Sequence, residues 1–258
     1  MTVEICPGVH WLNHCINQAD RHMHLSTYLV ETSAGHVLID TGANLHRDII
    51  GEQVESLTKG SGVDTIVLTH STLEHTANVQ DFQQRWGDAD VLASTAAPEI
   101  MGTPDASEWK IGQTVMLAGD EFSFSQPLLT DNLFTVWVHH HRSDILFTSE
   151  AFGRYHTADN CGTFPAPISE DPAAFPNLFK YCADRLSFLK FVQPAEMASR
   201  IDETVSDRGV ELLAPAHGNP LPVDDLEAYW DTIDNVITGL SYSDSRLPQV
   251  EHRRHEEG

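Results

Sequence analysis

Val63-Asp64-Thr65-Ile66-Val67-Leu68-Thr69-His70-Ser71-Thr72-Leu73-Glu74-His75-Thr76-Ala77-Asn78 is the stretch on which the fold turns. Its first half, Thr65 to Thr69, is a β-branched and apolar run of the kind that forms a buried strand. The run stops at His70, and Glu74 and His75 follow close behind. Imidazoles and a carboxylate on the loop leaving a strand can be aimed inward together, which is the donor pattern a divalent metal ion takes. The alternative for this stretch alone is a polar turn carrying two solvated histidines.

On its N-terminal side, residues 8–12, 25–30 and 36–40 alternate or run apolar, and Ser33-Ala34-Gly35 supplies a turn, so an antiparallel meander is predicted there. Asp40-Thr41-Gly42 closes the third strand as a turn that could orient a ligand from behind. Apolar spacing predicts helices over 48–58 and 76–86 and a strand over 91–94. Further strands are predicted over 121–125, 133–138, 145–148 and 210–214. Residues 154–177 read as a long loop, followed by helices over 178–192, 194–208 and 223–240. Strands thus come in two blocks, each followed by helices. That order predicts an α/β chain folded as an αββα sandwich of two mixed sheets rather than alternating βαβ units. One domain over 1–240 and a polar, mobile tail over 241–258 are expected.

The charge balance is lopsided, with 38 acidic residues, 15 basic residues and a net charge of −23. Lysines occur only at Lys59, Lys110, Lys180 and Lys190. Nucleic acid rewards basic patches, so it is excluded as a partner, and anionic membrane surfaces are disfavoured for the same reason. Self-repulsion of this size is tolerated where salt screens it, which points to a salt-adapted protein. No run approaches the roughly 18 apolar residues of a membrane helix, and no signal peptide is visible, so a cytoplasmic location is expected. Cys6, Cys15, Cys161 and Cys182 form no C-x-x-C pair and read as buried free thiols.

Three separated pieces converge on one chemistry. They are His70-x-Thr72-x-Glu74-His75, Leu146-Phe-Thr-Ser-Glu150-Ala-Phe-Gly153, and Ala214-Pro-Ala-His217-Gly218, each at a strand end. In this order they resemble the metallo-β-lactamase fold. The likeness is strongest to the diiron domain of flavodiiron proteins and related stand-alone oxygen-binding diiron proteins. That family carries His-x-Glu-x-Asp-His, Leu-Phe-Ser-Asn-Asp-Ala-Phe-Gly and Ala-Pro-Ser-His-Gly in the corresponding places. The likeness spans residues 5–238, and His24 falls where the family often places a pocket histidine.

The departures define the expected site. The resemblance assigns His70 to the first metal position, but Thr72 stands where the family has a glutamate. Matching the family's next aspartate to Asp131 puts Leu128 where it has a histidine. A hydroxyl is a poor donor and an alkyl group is none, so the first half-site is expected to be lost and His70 to be a weaker ligand. Glu74, His75, Glu150 and His217 occupy the family's second position and are expected to hold at most one divalent ion, iron, manganese or zinc. Both acids are glutamates where the family has aspartates, so the ion or the backbone must shift. His139-His140-His141 reads as a solvated hairpin turn too far from Glu150 to help, and His252 and His255 as tail.

The resemblance implies an oxidoreductase responsive to dioxygen or nitric oxide. It also implies an external electron donor, since no flavin-binding domain follows, and a homodimer. Mononuclear metal-dependent hydrolysis is the alternative. The other is a metal-free small-molecule-binding or interaction protein, in which Glu74 and Glu150 would repel and one would hold a proton.

Overall fold

The structure, a computed structural model, describes residues 2–18, 21–87, 89–94, 106–130, 132–161 and 168–244. The expected positions Asp131, His252 and His255 lie outside them, as does most of the expected tail. Strands β1 (Thr2–Cys6), β2 (Val9–Gln18), β3 (Arg21–Glu31) and β4 (His36–Ile39) form the predicted meander. Helix α1 (Arg47–Leu57), strand β5 (Thr65–Val67), helices α2 (Leu73–Thr76) and α3 (Val79–Arg85), and strands β6 (Asp90–Ser94) and β7 (Ser107–Trp109) complete the first half. The second half runs β8 (Thr114–Leu117), β9 (Asp120–Ser125), β10 (Trp137–His140), β11 (Ile145–Ser149), α4 (Ala174–Arg185), α5 (Pro194–Arg208), β12 (Leu212–Pro215), β13 (Leu221–Pro222) and α6 (Leu226–Asp244).

Two sheets result, one ordered β1 to β7 in sequence and one ordered β13-β12-β11-β10-β9-β8. Both are mixed: β4, β5, β6 and β7 pair in parallel, as do β11 and β12, while the other neighbours are antiparallel.

The period-two alternation of strand side chains sorts the core into three layers. Trp11, Tyr28, Val30, Val37, Ile39 and Val67 from one sheet meet Phe122, Phe124, Val138, Ile145 and Phe147 from the other. Their sequence neighbours Leu12, Leu29, Leu38 and Ile66 point the opposite way, onto Ile50, Val54 and Phe82 of α1 and α3. Leu146 and Leu213 face outward from the second sheet, onto Leu178, Tyr181, Ile201, Val205, Tyr229 and Ile233 of α4, α5 and α6. Helix, sheet, sheet and helix therefore stack as the strand order predicts.

Some boundaries differ from expectation for local reasons. The strand expected over 133–138 begins at Trp137, because the Asn132 side-chain carbonyl accepts the Phe134 amide at 2.8 Å and holds a turn before it. That shift carries His139 and His140 into β10, where both are buried, so the expected solvated turn is corrected. His140 lies 3.0 Å from the Asp120 carboxylate and 2.7 Å from the Ser143 hydroxyl, with its ring stacked on Phe122. These histidines are core groups of the β9–β10–β11 unit and stay out of the site. Helix α4 starts at Ala174, inside the expected loop, and α6 continues past residue 240 to Asp244.

Candidate metal centre

Parallel pairing places the ends of β4 and β5 together, and likewise those of β11 and β12. Asp40 follows β4, His70 follows β5, Glu150 follows β11 and His217 follows β12. The two sheets are tied at this end by Ser26 N–H to Ala216 O at 2.8 Å, Tyr28 O–H to Pro215 O at 2.6 Å and Val136 N–H to Thr69 O at 3.0 Å. Asp40 and Ser149 adopt positive φ, 59° and 54°, as non-glycine residues. Such backbone is held only where surroundings enforce it, and it turns the Asp40 carboxylate and the Glu150 side chain at the strand ends.

The three expected histidines are buried, which removes the solvated-turn alternative. His75 presents Nδ1 to the Asp40 carboxylate at 2.8 Å, and His217 presents Nδ1 to the His24 carbonyl at 3.1 Å. A carbonyl can only accept, so Nδ1 of His217 carries the proton; facing a carboxylate, Nδ1 of His75 carries it too. In the neutral rings Nε2 then carries the lone pair, and both atoms are buried without a hydrogen-bond partner. Asp40 is itself fixed by the Thr69 amide and hydroxyl, each at 2.7 Å.

His70 is set the other way. The Thr72 amide donates to its Nδ1 at 3.1 Å, so in the neutral ring the proton sits on Nε2. Its Nε2 is buried without a hydrogen-bond partner, as in the other two rings, and Thr72, standing where the resembled family has a glutamate, holds the Nδ1 side. Leu128 packs in a groove with Phe191, Val192 and Met197. Donor atoms of Glu74, Glu150 and His217 lie within 4.8 Å of one another, as do those of His70, His75 and Glu150. The two groups share Glu150, with His75 in the one that holds His70 and His217 in the one that holds Glu74, and imidazole and carboxylate donors of this kind suit a borderline divalent ion.

Sequence reasoning missed Arg185. Its Nη1 donates to Glu74 Oε1 at 2.8 Å and lies 3.4 Å from Glu150 Oε1. The signal was present: Leu178, Tyr181, Cys182 and Arg185 share one stripe of α4, so the cation at the end of a buried face needed acids to meet it. Burial pushes the Glu74 carboxyl up, but the Arg185 guanidinium more than offsets this and leaves it lowered. Burial also pushes Glu150 up, yet His217, His70 and His75 outweigh it and bring the carboxyl to about 2. Arg185 thus sets a positive charge against both glutamates, which counters the repulsion expected between them.

His75 is pulled down by burial and raised more strongly by Asp40, with help from Glu150 and Glu74. Burial, then His75, lowers His70 to about 4. His24 is fully buried in β3, its ring edge-on to Trp11 and stacked on His156 at 3.8 Å. Its backbone carbonyl accepts from Nδ1 of His217.

The metallo-beta-lactamase superfamily profile matches residues 23–160. No curated protein matches the sequence. Among solved structures, a flavoprotein from Thermotoga maritima superposes with a TM-score of 0.75 at 17% identity, covering 93% of this chain and 61% of its own. The flavodiiron protein from Giardia intestinalis gives 0.73 at 15% identity, covering 93% and 60%. Rubredoxin oxygen:oxidoreductase from Desulfovibrio gigas gives 0.69 at 15% identity, covering 96% and 62%. This chain thus spans about three fifths of the length of these flavodiiron-type structures. Matched over more than half its length by that profile, with all four layers and the strand-end histidines and carboxylates in place, the chain belongs to the metallo-beta-lactamase superfamily.

Proposed function

We propose that this chain is a one-metal relative of the flavodiiron domain, with Glu74, His75, Glu150 and His217 holding a single iron, manganese or zinc ion. On this reading it responds to dioxygen or nitric oxide, with electrons from a separate donor. The carrying observation is the pair of buried Nε2 lone pairs on His75 and His217, each set by a partner at Nδ1 and both close to Glu150. Likeness of fold to rubredoxin oxygen:oxidoreductase supports the redox assignment.

When bound, the ion supplies Lewis acidity and, if iron, an electron-transfer centre. Asp40 keeps His75 oriented and electron-rich, which strengthens it as a donor. Arg185 does two jobs. It neutralises the glutamates while they are unligated, and it offers N–H donors to an anion arriving beside the ion. The second job favours a second reading, mononuclear hydrolysis of an anionic ester, in which Arg185 would bind the substrate's negative oxygens.

The test is metal content per chain after chelation and reloading with ferrous, manganous or zinc ions. Glu150→Ala is expected to carry one ion fewer than the unmodified protein, and equal content would overturn the ligand assignment. Arg185→Leu is expected to keep the ion and bind it more than about tenfold tighter, since a competing cation is gone from the glutamates. Reductant-dependent consumption of dioxygen or nitric oxide, set against ester and phosphodiester turnover, decides between the two readings.

A further inference from the structure

A second group of donors lies away from the glutamates. Cys15 is on β2 and His22 on the adjacent β3, while His156 and Cys161 belong to the segment after β11. A two-way backbone bridge locks that segment onto β3, with His22 N–H to His156 O at 3.1 Å and His156 N–H to His22 O at 3.0 Å. A single 3-10 turn over Ala158–Asn160 then brings Cys161 back toward the same point. His156 Nε2 is 3.2 Å from Cys15 Sγ and 3.3 Å from Cys161 Sγ, and His22 Nδ1 is 3.0 Å from Cys161 Sγ. One donor atom from each of the four lies within 4.8 Å of all the others.

We propose that Cys15, His22, His156 and Cys161 form a second metal centre, a closed tetrahedral zinc site. Two thiolates and two imidazoles are a set that zinc favours over harder ions. With zinc–sulfur and zinc–nitrogen bonds of ordinary length, the edges of such a tetrahedron are about 3.3–3.8 Å. The observed nitrogen–sulfur contacts of 3.2, 3.3 and 3.0 Å are shorter than the roughly 3.6 Å nitrogen–sulfur edge of such a tetrahedron, so the donors must spread by a few tenths of an ångström to admit the ion.

Hydrogen bonding is a poor alternative account of the cluster. His156 Nε2 touches both sulfurs, but it has only one proton to give or one lone pair to offer. A central ion serves all four donors at once. Four protein ligands leave no position for substrate, so this centre is structural. It pins the 156–161 segment to the β2–β3 hairpin. His156 also stacks on His24, whose carbonyl orients His217, so the zinc sits behind a ligand of the first centre.

The test counts zinc in full-length chain produced with zinc, comparing the unmodified protein, Cys15→Ser/Cys161→Ser and Glu150→Ala. The double cysteine variant is expected to lose one zinc that Glu150→Ala keeps, which separates this site from the glutamate site. Cobalt substitution gives a second readout. Thiolate-to-cobalt charge transfer and strong visible ligand-field bands are expected in the unmodified protein and in Glu150→Ala. Cys161→His, chosen to keep the fold and a four-donor set, is expected to retain the ion with charge transfer reduced to one thiolate's worth. Three results would overturn the proposal: zinc content unaffected by the double cysteine change, cobalt spectra without charge transfer, or a Cys15–Cys161 disulfide in protein purified without air.

Discussion

At the scale of single residues, the group that faces Nδ1 sets the tautomer of each neutral histidine at the strand ends. The difference between His75 and His70 is a matter of what faces Nδ1, a carboxylate in one case and an amide N–H in the other. Asp40→Asn tests this. The amide cannot accept both Thr69 bonds and the His75 proton as the carboxylate does, so metal affinity should fall about 10–100-fold while the fold persists. Competition against a chromophoric chelator measures it, and an unchanged affinity would mean that Asp40 does not set the ring. Arg185 is the other single-residue determinant, since it gives the glutamates a positive partner independent of any ion.

At the scale of elements, the site depends on how closely α4 and the β12 loop approach the turn after β11. Gly153 lies at that contact, where an added Cβ would be 2.4 Å from the Tyr181 hydroxyl and 2.7 Å from the His217 carbonyl. Tyr181 in turn donates to the Glu150 carbonyl at 2.7 Å. Gly153→Ala is therefore expected to cost about 1–3 kcal/mol in urea unfolding and to weaken metal binding together with it, since either Tyr181 or His217 must move. Full stability would show that the contact relaxes freely. The Gly153 position was legible in the sequence as part of Leu146-Phe-Thr-Ser-Glu150-Ala-Phe-Gly153. Its partner was not, because Tyr181 comes from a helix whose packing angle no local pattern encodes.

For the whole molecule, charge and buried imidazoles set the response to solution conditions. With a net charge of −23, the thermal midpoint is expected to rise by about 2–8 °C between low and molar salt, and a flat response would count against salt adaptation. Burial lowers His14 to about 4, His24 to about 3 and His139 to about 4. In the unfolded chain these rings protonate near about 6.5, so between there and about 4 the unfolded state binds more protons. Stability is therefore lost as pH falls through that window, by up to about 1.4 kcal/mol per pH unit for each ring. Urea midpoints at about pH 7 and about pH 5, taken in molar salt so that relief of acid repulsion does not mask the effect, should show the decline. Among the described residues no helix is long and apolar enough to cross a membrane.

The sequence by itself determined the layers and the strand-end donors. Alternation with period two and helical stripes depend only on local spacing, and the His-carboxylate-His pieces sit where strands end. Helix α5 over Pro194–Arg208 was legible from its N-terminal proline, with its end placed near Arg208. Three things were decided only by tertiary structure. Arg185 meets Glu74 across 111 residues of chain, His139 and His140 enter a strand because a turn at Asn132 delays it, and Cys15 meets Cys161 through His156. Each depends on which distant surfaces pack face to face. Local preference is blind to that choice, because the stabilisation comes from burial and charge pairing between segments that meet only once both sheets have closed on each other.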